Sequence, residues 1–321
     1  MNSLIVNPAF DSQTKETLAT KAADFGSTHE VSEKFMKEVL SSGVVDLVLK
    51  VARAKEEAKM ARDLGPGKKK AKLLGVPKLD DANEAGTRDG HKCTLILTEG
   101  DSAKSLALAG IEVIGRDYYG CFPLKGKLLN VRDASTKQIG ENAEIQNLIK
   151  IIGLQMGKKY TRETLSQLRY GSVMIMTDQD HDGSHIKGLL INFVHRFWPS
   201  LMELDGFLVE FVTPIIKVFR AAGGRQEVVK AFFTIPEYEA WMSEQVETRA
   251  LKAKYYKGLG TSTAKEAKEY FSALASHKID FEYVDNDDME VIDMAFNKKF
   301  ADRRKTWLET YDPVTTYINQ S

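Results

Sequence analysis

Residues 94–103 read TLILTEGDSA, and residues 173–183 read VMIMTDQDHDG. In each stretch a short apolar run stops abruptly at carboxylates and glycine, and an apolar stripe at helical spacing follows. The first stripe is Ala103, Leu106, Ala107 and Gly110; the second is Ile186, Leu189, Leu190, Phe193 and Phe197, ended by Pro199. A buried strand passing at its carboxyl end into an amphipathic helix is the repeating unit of a parallel α/β sheet. Outward from this pair, Ile145, Leu148, Ile149 and Ile152 mark another helix, and Ala267, Tyr270, Phe271 and Leu274 a further one. Residues 208–218 read as one long strand and 255–257 as a short one. The expected fold class is therefore α/β, a parallel sheet flanked by helices.

The carboxyl ends of the strands in such a sheet face the ligand crevice, so Glu99, Asp178, Asp180 and Asp182 converge there if the two strands are neighbours. Clustered carboxylates repel one another unless a cation neutralises them, and an all-oxygen set without Cys or His suits Mg²⁺ better than zinc. The competing reading is that the acids only favour helix N-termini, a task that Asp101 or Ser102, and Ser184, could perform unaided. The DxDxDG run is not a calcium loop, because position twelve counted from Asp178 is Leu189 rather than Glu. His181 and His185 lie four apart with no third nitrogen or sulfur ligand in range, which assigns them to the surface or the helix start.

Elsewhere, Ser32 opens a helical pattern through Phe35 and Val39 that stops near Gly43, and a second helix runs from about Val45 to Leu64. Gly65, Pro66 and Gly67, followed by Lys68, Lys69, Lys70 and Lys72, read as a basic linker with solvated lysines. Residues 280–293 are strongly acidic and 298–305 basic, predicting a charged connector. The 321 residues contain 43% hydrophobic residues, enough for at least one sizeable core. No run approaches the roughly 20 apolar residues of a membrane span, and MNSLIVNPAF has no secretion-signal pattern, so an intracellular protein is expected. Lys and Arg total 45 against 45 for Asp and Glu, so DNA contact would need a local patch rather than a global field. Cys93 and Cys121 lack CxxC spacing and read as buried thiols. The chain stops at Ser321 without a helix-ending signal, which predicts that a longer sequence continues.

The strings EGDSA (99–103) and DQDHDGSHIKG (178–188) together resemble the Toprim fold of type IIA topoisomerases. PLKGKLLNV (123–131), IIGLQ (151–155) and KYYKGLGTS (254–262) resemble the same family in the same order. The strings LIVNP, PKLDDAN and KKxxDRRKxWL place the resemblance nearer the eukaryotic-type DNA topoisomerase II than the gyrase-type B subunits. The acidic strings alone would also fit a primase- or nuclease-like Toprim protein, and a non-catalytic interaction fragment is the alternative from another class.

The resemblance implies a Rossmann-like Toprim domain over 91–275. It would be preceded by the end of an ATPase and transducer region over 1–64 and a linker over 65–90, and followed by a connector over 276–321 toward a winged-helix domain. It implies that Glu99, Asp178 and Asp180 act catalytically and, with Asp182, hold one or two Mg²⁺ ions, for which Mn²⁺ or Ca²⁺ could substitute in binding. Lys125, Gly126, Lys127, Lys254 and Lys257 would contact DNA phosphates; Lys125 stands where the family commonly has arginine, keeping charge but losing bidentate geometry. Gln13 and Lys15, in a QTK loop, would sense ATP. The partners implied are double-stranded DNA and a homodimer partner whose tyrosine attacks the DNA; no membrane is involved, and the location is the nucleus. None of the tyrosines present has the winged-helix context, Tyr311 and Tyr317 included, so the isolated chain is expected to be inactive.

Overall fold

Ser32 accepts a hydrogen bond from the Phe35 N–H and so caps α1 (Glu33–Ser41). After the turn at Gly43 comes α2 (Val44–Asp63), so both helices lie where the sequence puts them. The computed structural model describes residues 5, 7–10, 18–26, 30–63, 73, 75–222, 225–245 and 250–310. Gln13, Lys15, the lysines at 68–72 and Tyr311 and Tyr317 lie outside the described residues. The chain divides into two units, Met1–Glu56 and Glu57–Ser321.

The second unit is built on β1 (Thr94–Glu99), α3 (Gly100–Ile114), β2 (Tyr119–Leu124), α4 (Thr136–Glu141), α5 (Ala143–Ile152), β3 (Ser172–Met176), α6 (His181–Phe197), α7 (Pro199–Met202) and β4 (Leu208–Phe211). Then follow β5 (Ile216–Ala222), β6 (Arg225–Phe232), α8 (Ile235–Ser243), β7 (Leu251–Tyr255), α9 (Ala264–Ser272), β8 (Lys278–Asp280), α10 (Asn286–Phe296) and α11 (Ala301–Glu309). A five-stranded sheet has the order β2-β1-β3-β4-β8, parallel except for β8.

The sheet is covered on both faces, which is why its strands read as continuous apolar runs. Alternation in β1 sends Leu95 and Leu97 into the core formed with α5 and α6, and Ile96 into the core formed with α3 and α9. Cys93 joins the first core and Cys121 the second; burial raises their thiols to about 11 and about 12, keeping both protonated.

Three elements differ from the expectation. The predicted long strand 208–218 is two strands, because Pro214 has no N–H to continue a ladder; β5 joins β6 and β7 in a separate three-stranded antiparallel sheet. The short strand at 255–257 is β7, which ends at Tyr255 and leaves Lys257 in a loop. The acidic stretch is largely helical: Asp285 caps α10, and Asp287 and Asp288 sit in its first turn, where the helix dipole favours them.

Candidate functional site

Glu99 ends β1, and Asp178 lies two residues beyond Met176, the partner of Thr98 in register. Because β1 leads through α3 to β2 on one side while β3 lies on the other, the strand order reverses between β1 and β3, where an open α/β sheet leaves a crevice. The Asp178 N–H donates to Glu99 Oε2 at 3.4 Å. The Leu259 N–H, from the loop after β7, donates to Asp178 Oδ1 at 2.7 Å.

Two glycines make room for this arrangement. A Cβ on Gly258 would stand 2.7 Å from Asp178 Cγ, and one on Gly183 would collide with the Asp178 carbonyl oxygen. Gly258 has φ 178°, an extended backbone open to any residue, so space rather than conformation demands glycine there. Gly126, at φ +110°, is the opposite case: its neighbourhood is open but its backbone is left-handed.

Asp180 and Asp182 are drawn partly away from the pair. Asp180 Oδ1 accepts from the Gly183 N–H at 2.8 Å and caps α6, so the helix-capping role of the competing reading holds for Asp180, and it is not left to Ser184. No side chain caps α3; Asp101 instead pairs with Lys78 at 2.6 Å. Asp182 Oδ1 accepts from Lys127 Nζ at 2.8 Å, and this contact holds its carboxyl below the usual range. Among the described residues, no three His, Cys, Asp or Glu side chains form a metal cage by themselves. The Glu99 carboxyl is nevertheless raised, first by burial and further by the charges of Asp178, Asp180 and Asp182, against the pull of the Asp178 N–H. With only Asp182 countered by a lysine, the all-oxygen set of Glu99, Asp178 and Asp180 fits a hard cation that keeps much of its water and takes phosphate oxygens, as Mg²⁺ does, rather than one wholly wrapped by protein.

Lys125 and Gly126 line an open cavity of about 230 Å³ together with Glu99, Asp101 and Lys78. Lys257 is exposed beside Gly258, whereas Lys254 is engaged: its Nζ lies 3.2 Å from Glu266 Oε1 and 4.2 Å from the Tyr256 ring centroid. Three features escaped the sequence reading. The Leu259 N–H is a backbone group with no signature. The Lys187–Glu210 pair, 2.7 Å apart, places Glu210 within reach of Gln179, between the two aspartates; an acid inside the apolar run LVEFV was its signal. Glu266 was legible as the last residue of the T-x-x-E capping pattern that begins at Thr263.

A family model described as the Toprim domain matches residues 94–213, and one described as the C-terminal associated domain of TOPRIM matches 211–321. The chain is 55% identical over 317 residues to DNA topoisomerase 2 of Pisum sativum, covering 98% of this chain and 21% of that protein. It is 57% identical over 310 residues to the probable DNA topoisomerase 2 of Dictyostelium discoideum, covering 96% and 20%. A crystal structure of the topoisomerase II DNA-binding, cleavage and re-ligation domain of Plasmodium falciparum superposes with a TM-score of 0.72 at 54% identity, covering 78% of this chain and 33% of that one. The chain thus spans about a fifth of the length of the curated relatives it matches. Since those relatives cover nearly all of it, and the Toprim match overlies the strands that carry Glu99 and Asp178, the chain belongs to the eukaryotic DNA topoisomerase 2 family over the stretch they share.

Proposed function

We propose that this chain supplies the metal-binding half-site for DNA cleavage in an ATP-dependent type IIA topoisomerase, which passes one duplex through a transient double-strand break. The observation that carries the reading is the meeting of Glu99 and Asp178 at the strand-order reversal, with Asp180 two residues further along. Glu99, Asp178 and Asp180, supported by Asp182, would hold one or two Mg²⁺ ions. Held there, such an ion would supply Lewis-acid polarisation of the scissile phosphate and charge stabilisation for the departing 3′ oxygen.

The chain's own groups do the rest. Glu99, with its raised carboxyl, is placed to exchange a proton with that oxygen. Lys125 and Lys257 stand exposed for phosphate contact, whereas Lys127 and Lys254 would exchange Asp182 and Glu266 for phosphate as DNA arrives. The left-handed backbone at Gly126 lets the main chain approach the duplex. The nucleophile is a tyrosine of a winged-helix domain in a partner subunit, Gln13 and Lys15 respond to ATP held elsewhere, and the assembled dimer works in the nucleus.

The test is to join the chain to a winged-helix domain bearing that tyrosine and to assay supercoiled DNA. Mg²⁺-dependent cleavage should appear and should vanish with Glu99→Ala while the circular dichroism spectrum stays intact. Covalent capture of DNA by the 321-residue chain alone, seen as labelled protein after denaturation, would overturn the reading, because a tyrosine such as Tyr256 would then be the nucleophile.

A further inference from the structure

The loop 257–262 delivers the Leu259 N–H to Asp178, and both of its ends are tied to one side chain. Tyr256, just before the loop, donates its hydroxyl to Glu266 Oε1. Thr263, just after it, donates its N–H to Glu266 Oε2 at 2.8 Å and its hydroxyl to the same oxygen at 2.9 Å; its hydroxyl oxygen accepts the Glu266 N–H at 3.2 Å.

A capping box needs only an exposed Glu, but this one is enclosed: its side chain is 14% exposed. Lys217 of β5, itself 5% exposed, reaches to 3.8 Å of it and lies 4.4 Å from the Tyr270 ring centroid. Lys254 of β7 reaches to 3.2 Å. A carboxylate taken out of water is tolerated when its oxygens are filled with donors and countercharge, as here. Burial alone would raise its carboxyl, but the donors Tyr256, Thr263 and Lys254 bring it down to about 2. The result is a junction between the small antiparallel sheet, α9 and the loop. Leu259 anchors the loop's middle, the residue being 1% exposed in the core formed by α3 and α9.

We propose that Glu266 is a positioning residue for the acid pair: by tying Tyr256 and Thr263 it fixes the loop 257–262, so that the Leu259 N–H holds the Asp178 carboxylate beside Glu99. This rests on the reading of Glu99 and Asp178 as a cation site. Glu266 lies outside that site and acts on it only through the loop. With Oδ1 engaged by the N–H, the second carboxylate oxygen is presented in one orientation, and a cation binding there need not order it first.

The test uses the full chain with Glu266→Gln, Tyr256→Phe and, as reference, Asp178→Asn. Tyr256→Phe removes a single hydroxyl and keeps the fold accessible if Glu266→Gln does not. Metal-free amide exchange is read at Leu259 and, as a gauge of global opening, at Leu97 in β1; affinity is read with Mn²⁺ alone. Both loop variants should speed exchange at Leu259 relative to Leu97 by about tenfold or more and weaken Mn²⁺ by about tenfold, the usual effect of losing support behind a ligand. Unchanged relative exchange at Leu259 overturns the proposal. So does faster exchange with unchanged Mn²⁺ affinity when Asp178→Asn weakens it, an outcome that leaves the cation-site reading intact. Equal Mn²⁺ affinity in Asp178→Asn and the wild type would instead remove the cation site, and the role proposed for Glu266 with it.

Discussion

Replacing Gly258 by Ala isolates the packing of the acid pair from backbone effects. At φ 178° the alanine backbone is unstrained, so the cost comes from the new methyl group, which would sit 2.7 Å from Asp178 Cγ and 2.9 Å from Asp178 Oδ1. Real Cβ atoms do not approach so closely, so either the loop or the carboxylate must move. If the loop moves, the penalty is that of an overpacked interior, about 1–3 kcal/mol. If the carboxylate moves, it gives up the Leu259 N–H, a charged hydrogen bond worth roughly 1.5–3 kcal/mol. Alanine also reduces the freedom of the unfolded chain, which returns about 0.4–1 kcal/mol. The net expectation is a destabilisation of about 1–2 kcal/mol in urea unfolding and a loss of Mn²⁺ affinity of roughly ten- to a hundredfold. Gly260→Ala is the control: nothing lies within 4 Å of its Cβ, so only the unfolded-chain term remains and its stability should be equal to the wild type or higher by up to about 1 kcal/mol. A Gly258→Ala protein as stable and as metal-avid as the wild type would refute the placement of Asp178. Lost stability with unchanged Mn²⁺ affinity would mean that Asp178 is not a ligand.

Asp180 carries two roles that substitution can separate: Asn still accepts the Gly183 N–H, so Asp180→Asn should keep stability within about 0.5 kcal/mol while weakening Mn²⁺, and Asp180→Ala should lose about 1 kcal/mol as well. Equal Mn²⁺ binding in wild type and Asp180→Asn would leave Asp180 as a helix cap alone. With no net charge on the chain, DNA binding should depend steeply on salt through local lysines. Changing Lys125 and Lys127 to Ala should make the plot of log affinity against log salt shallower by about 2, and an unchanged slope would move the DNA surface elsewhere. Burial, helped by Arg132, lowers the pKa of His195, and burial lowers that of His277 against its hydrogen bond to the Val212 carbonyl. Both therefore take up a proton less readily when folded, and the unfolded chain takes up protons first as pH falls below about 6.5. Stability should be fully present above that pH and should drop toward pH 5.5 by at most about 1.4 kcal/mol per histidine. A His195→Gln variant with the wild-type slope between pH 7.5 and 5.5 would contradict this for His195.

The sequence by itself settled the parts of the molecule whose cause is local. The runs TLILT and VMIMT are strands because both of their faces are buried, the stripes that follow are helices because their apolar residues recur at 3.6-residue spacing, and Ser32 marks a helix start through its own side chain. The carboxylates at the strand ends followed from the same patterns. What only the tertiary structure decided joins residues far apart in the chain. The order of the strands brings Glu99 to Asp178; the N–H of Leu259 holds Asp178; Gly258 is small because a carboxylate occupies its side-chain space. Pro214 divided what looked like one strand, and Asp180 proved to serve its own helix as well as facing the site. Periodicity, capping and turn preference act within a few residues and so leave a trace in the sequence. A backbone N–H carries no residue identity, and the volume a methyl group would need is set by whichever side chain packs opposite, so neither is determined until the core has brought the two segments together.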